Sequence, residues 1–314
     1  MDAPFVSLVI ANHNYAHYLP EAIDSALAAG PLVEIIVVDD GSHDTSRAVI
    51  ARYRDAIRPV FQDNKGACAA RNAGLAIARA PYVKFLDADD WLAEGAIARQ
   101  LREAQALGAA KACVFGDAIW AAEDGTPLAG LAPMAPASMV FDLPAIVAGP
   151  PLTSAPLHRT TDVREVGGFD PLVRRGQEHD LHVRLALSGV VFHYRPGPSY
   201  YYRQHGGTGR ISSASGVVGD SVLAASLRHV AEARAAGLMT PALSEAFAHR
   251  LWRQGRETLQ RGAPETARRF FHEARLLCPH APAPGPLAYR TLVRFLGPLA
   301  AERISAARVR LGGA

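Results

Sequence analysis

The first ninety residues alternate between two hydrophobic periods, and few folds accept that pattern. Apolar runs of strand length, "FVSLVI", "VEIIVVDD", "RPVFQ" and "YVKFL", are separated by the helix-period segments "YLPEAIDSALAAG", "SHDTSRAVIARYRD" and "GACAARNAGLAIARA". Apolar strands joined by helical crossovers predict an α/β domain with a mainly parallel sheet flanked by helices. Gly30 is expected to close the first helix, and Ser42 or Asp44 to cap the second.

In such sheets ligands bind at the carboxyl ends of the strands, where helix N-termini and loop amides converge. The polar clusters fall at those ends: "ANHN", "DDGS", "DN" and "DADD" follow the four strands in turn. The last is the most demanding. Asp87, Asp89 and Asp90 are three carboxylates within four positions, which repel one another and resist burial, so a cation is expected among them. The turn "ANHNYAHY" has neither the glycines of a dinucleotide fingerprint nor a P-loop lysine. Mg²⁺ or Mn²⁺ bridging carboxylate and diphosphate oxygens would hold phosphate by a different route.

Further along, residues 93–107 predict a helix, "KACVFGDAIWA" a strand, "QEHDLHVRLALSG" a helix ended by Gly189, and "VVFHYRP" and "SYYYRQH" two short strands. Seven prolines between residues 116 and 156 predict an irregular excursion, read as a cover for the site. From about residue 216 only helical patterns remain. The division expected is therefore an α/β domain over residues 1–212 and an all-helical region over residues 213–314.

Charge follows the same division. The first part carries 19 basic and 23 acidic side chains, net −4; the second carries 14 and 7, net +7. The excess suggests an acidic partner or membrane surface for the C-terminal region, against the plainer reading of an arginine-rich solvated face. Its last segment, "LAYRTLVRFLGPLAAERISAARVRL", sets an apolar stripe beside Arg290, Arg294, Arg303, Arg308 and Arg310, interrupted at Gly297 and Pro298. Peripheral contact with an anionic membrane is one expectation for it, and a terminal helix packed on its own domain the other. The opening "MDAPFVSLVIANHN" has an acidic residue where a secretory signal needs a basic region, and Cys68, Cys113 and Cys278 lack metal-site spacing, so a cytoplasmic protein with free thiols is expected.

The runs "VSLVIANHNYAHYLPEAIDSAL", "EIIVVDDGSHDTS", "NKGACAARNAGLAIARAPYVKFLDADDWL" and "VGGFDP" followed by "QEHDLHVRLALSG" resemble, in order and spacing, the inverting glycosyltransferases of family 2 over about residues 4–205. That resemblance implies a GT-A-type fold, a nucleoside-diphosphate sugar donor, most often a UDP-sugar, and Mn²⁺ or Mg²⁺ as cofactor. Residue by residue, it implies that Asp40 reads the nucleotide base with Asp39 beside it, and that Ala11, His13, Asn64 and Arg71 line the nucleotide. Asp89 falls at the metal-ligand place, Asp87 approaches the ribose or the metal, and Asp90 anchors the loop. Arg203 and His205 match a Tyr-Arg-x-His segment near the donor phosphates or the metal. Anchoring the later pattern on Arg184-Leu185 makes Glu178 the candidate base, with Asp180 as the alternative; the family's usual Glu-Asp is replaced by Gln177-Glu178. At the start of a helix both acids also complement the helix dipole.

The acceptor implied is a glycan, lipid-linked or protein hydroxyl, and nucleic acid is not an expected partner. Two other functions stay open at this point. A nucleotidyltransferase would need a glycine-rich, lysine-bearing signature near the first strand, for which "ANHNYAHY" is a poor candidate. A catalytically silent nucleotide-sugar-binding or scaffold protein would keep the site and use the basic tail.

Overall fold

The computed structural model describes residues 3–108, 110–128, 134, 137–206, 219–280 and 283–311, with the side chains of residues 303 and 305–311 left out. The expected boundary at 212/213 and the side chains of Arg303, Arg308 and Arg310 lie outside these described residues.

Four parallel strands come first. β1 (Val6–Asn12) lies between β2 (Val33–Asp40) and β4 (Tyr82–Asp87), and β3 (Arg58–Gln62) flanks β2. The helices α1 (Leu19–Leu27), α2 (Ser46–Arg52) and α3 (Ala67–Ile77) make the crossovers. Val6, Leu8, Val9, Ile10, Ile36, Val38, Val83, Phe85 and Leu86 are solvent-free, which is why these strands read as unbroken apolar runs. Each such aliphatic side chain contributes roughly 1.5–3 kcal/mol on burial.

The helices dock by their small residues. α1 buries Leu19, Ala22, Ile23 and Ala26, one face at helical spacing. α3 lies so close to β1 that a Cβ on Gly74 would stand 2.3 Å from a Val9 methyl, which accounts for its small-residue composition. The cap of α2 is neither Ser42 nor Asp44 but Thr45, whose side chain makes no capping hydrogen bond; Asp44, one residue earlier, accepts the Ser46 amide at 2.9 Å.

Beyond β4 the sheet becomes mixed. β8 (Pro156–Arg159) runs antiparallel to β4 and to β6 (Ala112–Ala121), and β9 (Val191–Arg203) runs parallel to β6. β5 (Trp91–Leu92) and β7 (Met139–Phe141) add antiparallel to β9. The two short strands expected at residues 190–196 and 199–205 are one 13-residue strand, β9 (Val191–Arg203). Pro196 and Pro198 lie within it, and Asp117 spans the irregular register there, accepting from the Tyr194 hydroxyl at 2.8 Å and the Gly197 amide at 2.9 Å. Gly116 lets the strands close at that point, since a Cβ on it would meet the Gly197 carbonyl at 2.5 Å.

β8 and α6 (Thr160–Glu165) have no counterpart in the sequence reading; α4 (Ala96–Ala106) and α7 (Gln177–Leu187) do. The proline-rich stretch contains β7 and α5 (Leu143–Ala148) and is not irregular throughout.

The chain forms two compact units. The first, Met1–Asp142, Pro150–Pro171 and Gln177–Thr208, holds the sheet. The second, Leu143–Gly149, Leu172–Gly176 and Gly209–Ala314, holds α5 with α8 (Gly219–Ala235), α9 (Pro241–Gln260), α10 (Pro264–Leu277) and α11 (Leu287–Leu311). Trp252, Phe270, Phe271 and Leu251 centre its core, and the Trp252 indole donates to the Tyr289 hydroxyl at 2.8 Å. Tyr289 and Val293 pack α11 into this core, and the helix breaks at Gly297, φ 78°, before Pro298. Among the described residues, no helix is long and apolar enough to cross a membrane.

Candidate active site

The parallel register brings the expected residues to one edge of the sheet. Ala11 pairs with both Val38 and Asp87, and Asn12 with Asp39, so the ends of β1, β2 and β4 lie level. Asp39 is fully buried and accepts from the Asn12 amide at 3.0 Å and, more weakly, from the Ser42 amide at 3.4 Å. Asp40 accepts three protein donors: the Gln62 side-chain amide at 2.7 Å and the Lys65 and Gly66 amides at 2.8 Å each. A carboxylate offers roughly four acceptor sites, so most of Asp40 is occupied in shaping the loop after β3. That geometry differs from a side chain turned wholly to a nucleotide base.

His13 belongs to the same loop cluster. Its Nδ1 lies 2.7 Å from the Asp40 carbonyl, which makes Nδ1 the protonated nitrogen and leaves Nε2 to accept from Asn14 at 3.0 Å and Asn64 at 3.1 Å. Gly41, φ +67°, is the hinge of this arrangement, because a Cβ there would meet the Asn64 amide nitrogen at 2.6 Å.

The acidic loop after β4 gathers three carboxylates. Ligand oxygens of Asp87, Asp89 and Asp90 lie within 4.8 Å of one another. Burial, then the neighbouring carboxylates, raises Asp89 above the ordinary carboxylate range and Asp90 well above it. Asp90 is occupied by the Arg203 amide at 3.1 Å and the Ser154 hydroxyl at 3.3 Å, which fits its expected place as a loop anchor. Ser154 comes from the proline-rich stretch and also accepts the Asp87 amide at 3.3 Å. His205, packed against Tyr15 and Tyr18, turns Nε2 to within 2.9 Å of Asp89 Oδ2. Close carboxylates with an adjacent imidazole, repelling one another at some cost, are a donor set that suits a hard divalent cation.

Arg203 sits in this cluster in an unexpected way. Its guanidinium lies over the rings of Trp91 at 4.5 Å and Tyr18 at 4.7 Å. It donates to the Asp89 carbonyl at 3.0 Å, to the Glu123 carbonyl at 2.5 Å and to the Glu21 carboxylate. With Arg203 only 3% exposed, these contacts make it a clamp on the backbone of the acidic loop, in contrast to the donor-facing group expected.

Arg71 joins the loop to the start of α7. From α3 it donates at 2.6 Å to Asp87 and at 2.8 Å to the Gln177 side chain, with its guanidinium over Phe169 at 5.1 Å. Burial, the largest single influence, would lower its pKa, but the charge and hydrogen bond of Asp87, with Cys68 and Glu178, together raise it, so the group stays a cation. Glu178, half-buried, follows Gln177 and adds to the field on Arg71. Asp180 is different: it is buried and holds Arg184 through Nε at 2.9 Å and Nη2 at 2.6 Å, while Arg184 also donates to the Val166 and Gly168 carbonyls. The competing acid is thus tied into the packing of its helix.

Residues 7–134 match the sequence profile of glycosyl transferase family 2. The chain is similar to an uncharacterized glycosyltransferase of Nostoc, 50% identical over 27% of this chain and 28% of that protein. It is also similar to the succinoglycan biosynthesis protein ExoU of Rhizobium meliloti, 30% identical over 60% of this chain and 58% of that one. The chain thus spans less than two thirds of these relatives' lengths. Among solved structures, S. aureus TarS 1-349 in complex with UDP-GlcNAc matches with a TM-score of 0.57 over 86% of this chain and 91% of that one, at 16% identity. That likeness is one of fold, and the fold is the GT-A-type architecture expected.

The residues that the sequence reading missed are the supports: Ser154, Phe169, Glu21 and Glu123. Each lies far in sequence from its partner, and no local spacing marks it.

Proposed function

We propose that this chain transfers a sugar, with inversion, from a nucleoside-diphosphate sugar to a hydroxyl of a glycan, lipid-linked or protein acceptor. The observation that supports this reading is the bridge of Arg71 from Asp87 to Gln177, the residue before Glu178. Inversion needs a proton acceptor on one side of the anomeric carbon and a stabilised leaving group on the other, and these two groups of residues supply the pair. Glu178 accepts the proton of the acceptor hydroxyl, a general-base contribution of roughly 10²- to 10⁴-fold.

Asp89 and Asp87, with His205 beside Asp89, would hold Mn²⁺ or Mg²⁺. When bound, the ion supplies Lewis-acid stabilisation of the departing diphosphate. Arg203 keeps the Asp89 backbone in place, Asp39 and Asp40 shape the loops of His13 and Asn64 for the nucleotide, and Arg71 orients Asp87 relative to Glu178. A uridine donor is the reading favoured, supported by the fold shared with S. aureus TarS, which has been crystallised with UDP-GlcNAc and with UDP. A role in polysaccharide assembly is supported by the likeness to ExoU.

Peripheral membrane contact belongs to the same proposal. On α11, Leu287 and Phe295 are exposed, with exposed Arg290 and Arg294 beside them. The reaction is tested by offering UDP-, GDP- and dTDP-sugars with Mn²⁺ and following nucleoside diphosphate release. Slow release without an acceptor, stopped by EDTA, supports transfer. Binding without release favours the silent nucleotide-sugar-binding protein, and absence of both overturns the reading.

A further inference from the structure

We propose that Tyr18 is a positioning residue for the metal ligands, its ring setting both His205 and the backbone of Asp89, an inference that rests on the metal-assisted reading of the site. Asp89 is held from two directions: His205 Nε2 lies 2.9 Å from its Oδ2, and Arg203 Nε donates to its carbonyl at 3.0 Å. Both of those side chains lean on Tyr18. Its ring centroid stands 5.2 Å from that of His205, and the Arg203 guanidinium lies over the ring at 4.7 Å. The Tyr18 hydroxyl donates to the Glu123 carboxylate at 3.1 Å, and the Glu123 carbonyl accepts from Arg203 at 2.5 Å, so the turn after β6 closes the circuit.

Helix formation does not account for a tyrosine here. Tyr18 is the N-cap of α1 and makes no capping hydrogen bond, whereas serine, threonine, aspartate or asparagine would supply one. Nor does the core account for it, since the residue is only half-buried. What the position does require is a flat, uncharged surface that attracts a guanidinium and packs an imidazole. Asp87, Asp89 and Asp90 repel one another, so with their oxygens within 4.8 Å the loop has to be held from outside. An aromatic face holds it without adding a charge to the cluster. Residues that orient metal ligands change metal affinity by about 10- to 100-fold when they are lost.

The test is Mn²⁺ uptake by the full chain in the presence of UDP, followed through the loss of the free-ion EPR signal, for wild type, Tyr18→Leu and Tyr18→Phe, with Tm measured in EDTA. The expected result is a Mn²⁺ affinity weakened at least about tenfold in Tyr18→Leu and within about threefold of wild type in Tyr18→Phe, which keeps the ring and loses only the hydroxyl. Both variants should melt cooperatively in EDTA, with Tm values within about 5 °C of wild type. Wild-type affinity in Tyr18→Leu would overturn the inference, because the ring would then be idle. Equal weakening in the two variants would also overturn it, by moving the effect to the Glu123 contact. A larger fall in Tm, or no melting transition, in Tyr18→Leu would do the same by assigning the ring to the fold. Wild-type chain that takes up no Mn²⁺ would overturn the metal reading of the site and this inference with it, and that failure is visible before either variant is made.

Discussion

Arg71 donates to Gln177 across 106 residues of sequence at 2.8 Å, and through it the acidic loop and the start of α7 share one cation. Lysine has one charged point where arginine has a rigid fork, so Arg71→Lys keeps the charge and loses one of the two partners. Turnover is expected to fall by about 10- to 100-fold, because misplacing a reacting group by about 1 Å costs on that order. Steady-state kinetics of sugar transfer check it; turnover within twofold of wild type would show that the bridge does not position the base.

Glu178 and Asp180 separate by the kind of damage they cause. Glu178→Gln should leave donor affinity unchanged and lower turnover by at least about 10²-fold. Asp180→Asn removes the partner of a buried arginine and should destabilise the fold by about 3 kcal/mol, read as a lower urea midpoint. If the turnover loss appears in Asp180→Asn with stability intact, the roles are reversed.

Asp89→Ala removes a carboxylate that burial and Asp87 raise and that in turn raises Asp90. In EDTA its Tm should equal or exceed that of wild type, while the Tm rise produced by Mn²⁺ should be lost. A Mn²⁺-dependent shift as large as that of wild type would mean that the ion binds elsewhere.

Lys84 gives a pH signature of the core. It is fully buried in β4, donates to neutral oxygens of Gln100 and Ala155, and burial pushes it down from 10.5 to about 7. Between about pH 7 and about pH 10.4 the unfolded chain holds a proton that the folded chain has released, so stability rises with pH across that window. Below about pH 7 both states are protonated, and this group adds no slope. Lys84→Met should flatten the rise in urea midpoint between about pH 7 and pH 9.5, and an unchanged slope would assign it to other groups.

The exposed stripe of α11 predicts co-flotation with vesicles rich in anionic lipid and not with zwitterionic ones. Each basic residue near such a surface contributes about 1 kcal/mol, so Arg290→Glu with Arg294→Glu should weaken binding more than tenfold. Flotation that is indifferent to lipid charge would remove the membrane from the proposal.

What the amino-acid order determined by itself was local and periodic. Unbroken apolar runs specified β1 to β4, small residues specified a helix that could approach Val9 closely, and the crowding of Asp87, Asp89 and Asp90 specified a place of unusual charge. Each of these signals lies within about ten residues, where side-chain period and mutual repulsion act directly. The antiparallel strand β8, the continuity of β9 through two prolines and the clamp of Arg203 were decided only by the tertiary structure. β9 holds because Asp117, 80 residues before Gly197, satisfies the amide beside the prolines. Arg203 is turned inward because Trp91, Tyr18 and Glu21 meet around it. Such contacts depend on long-range chain closure, whose partners carry no mark in the sequence near either end.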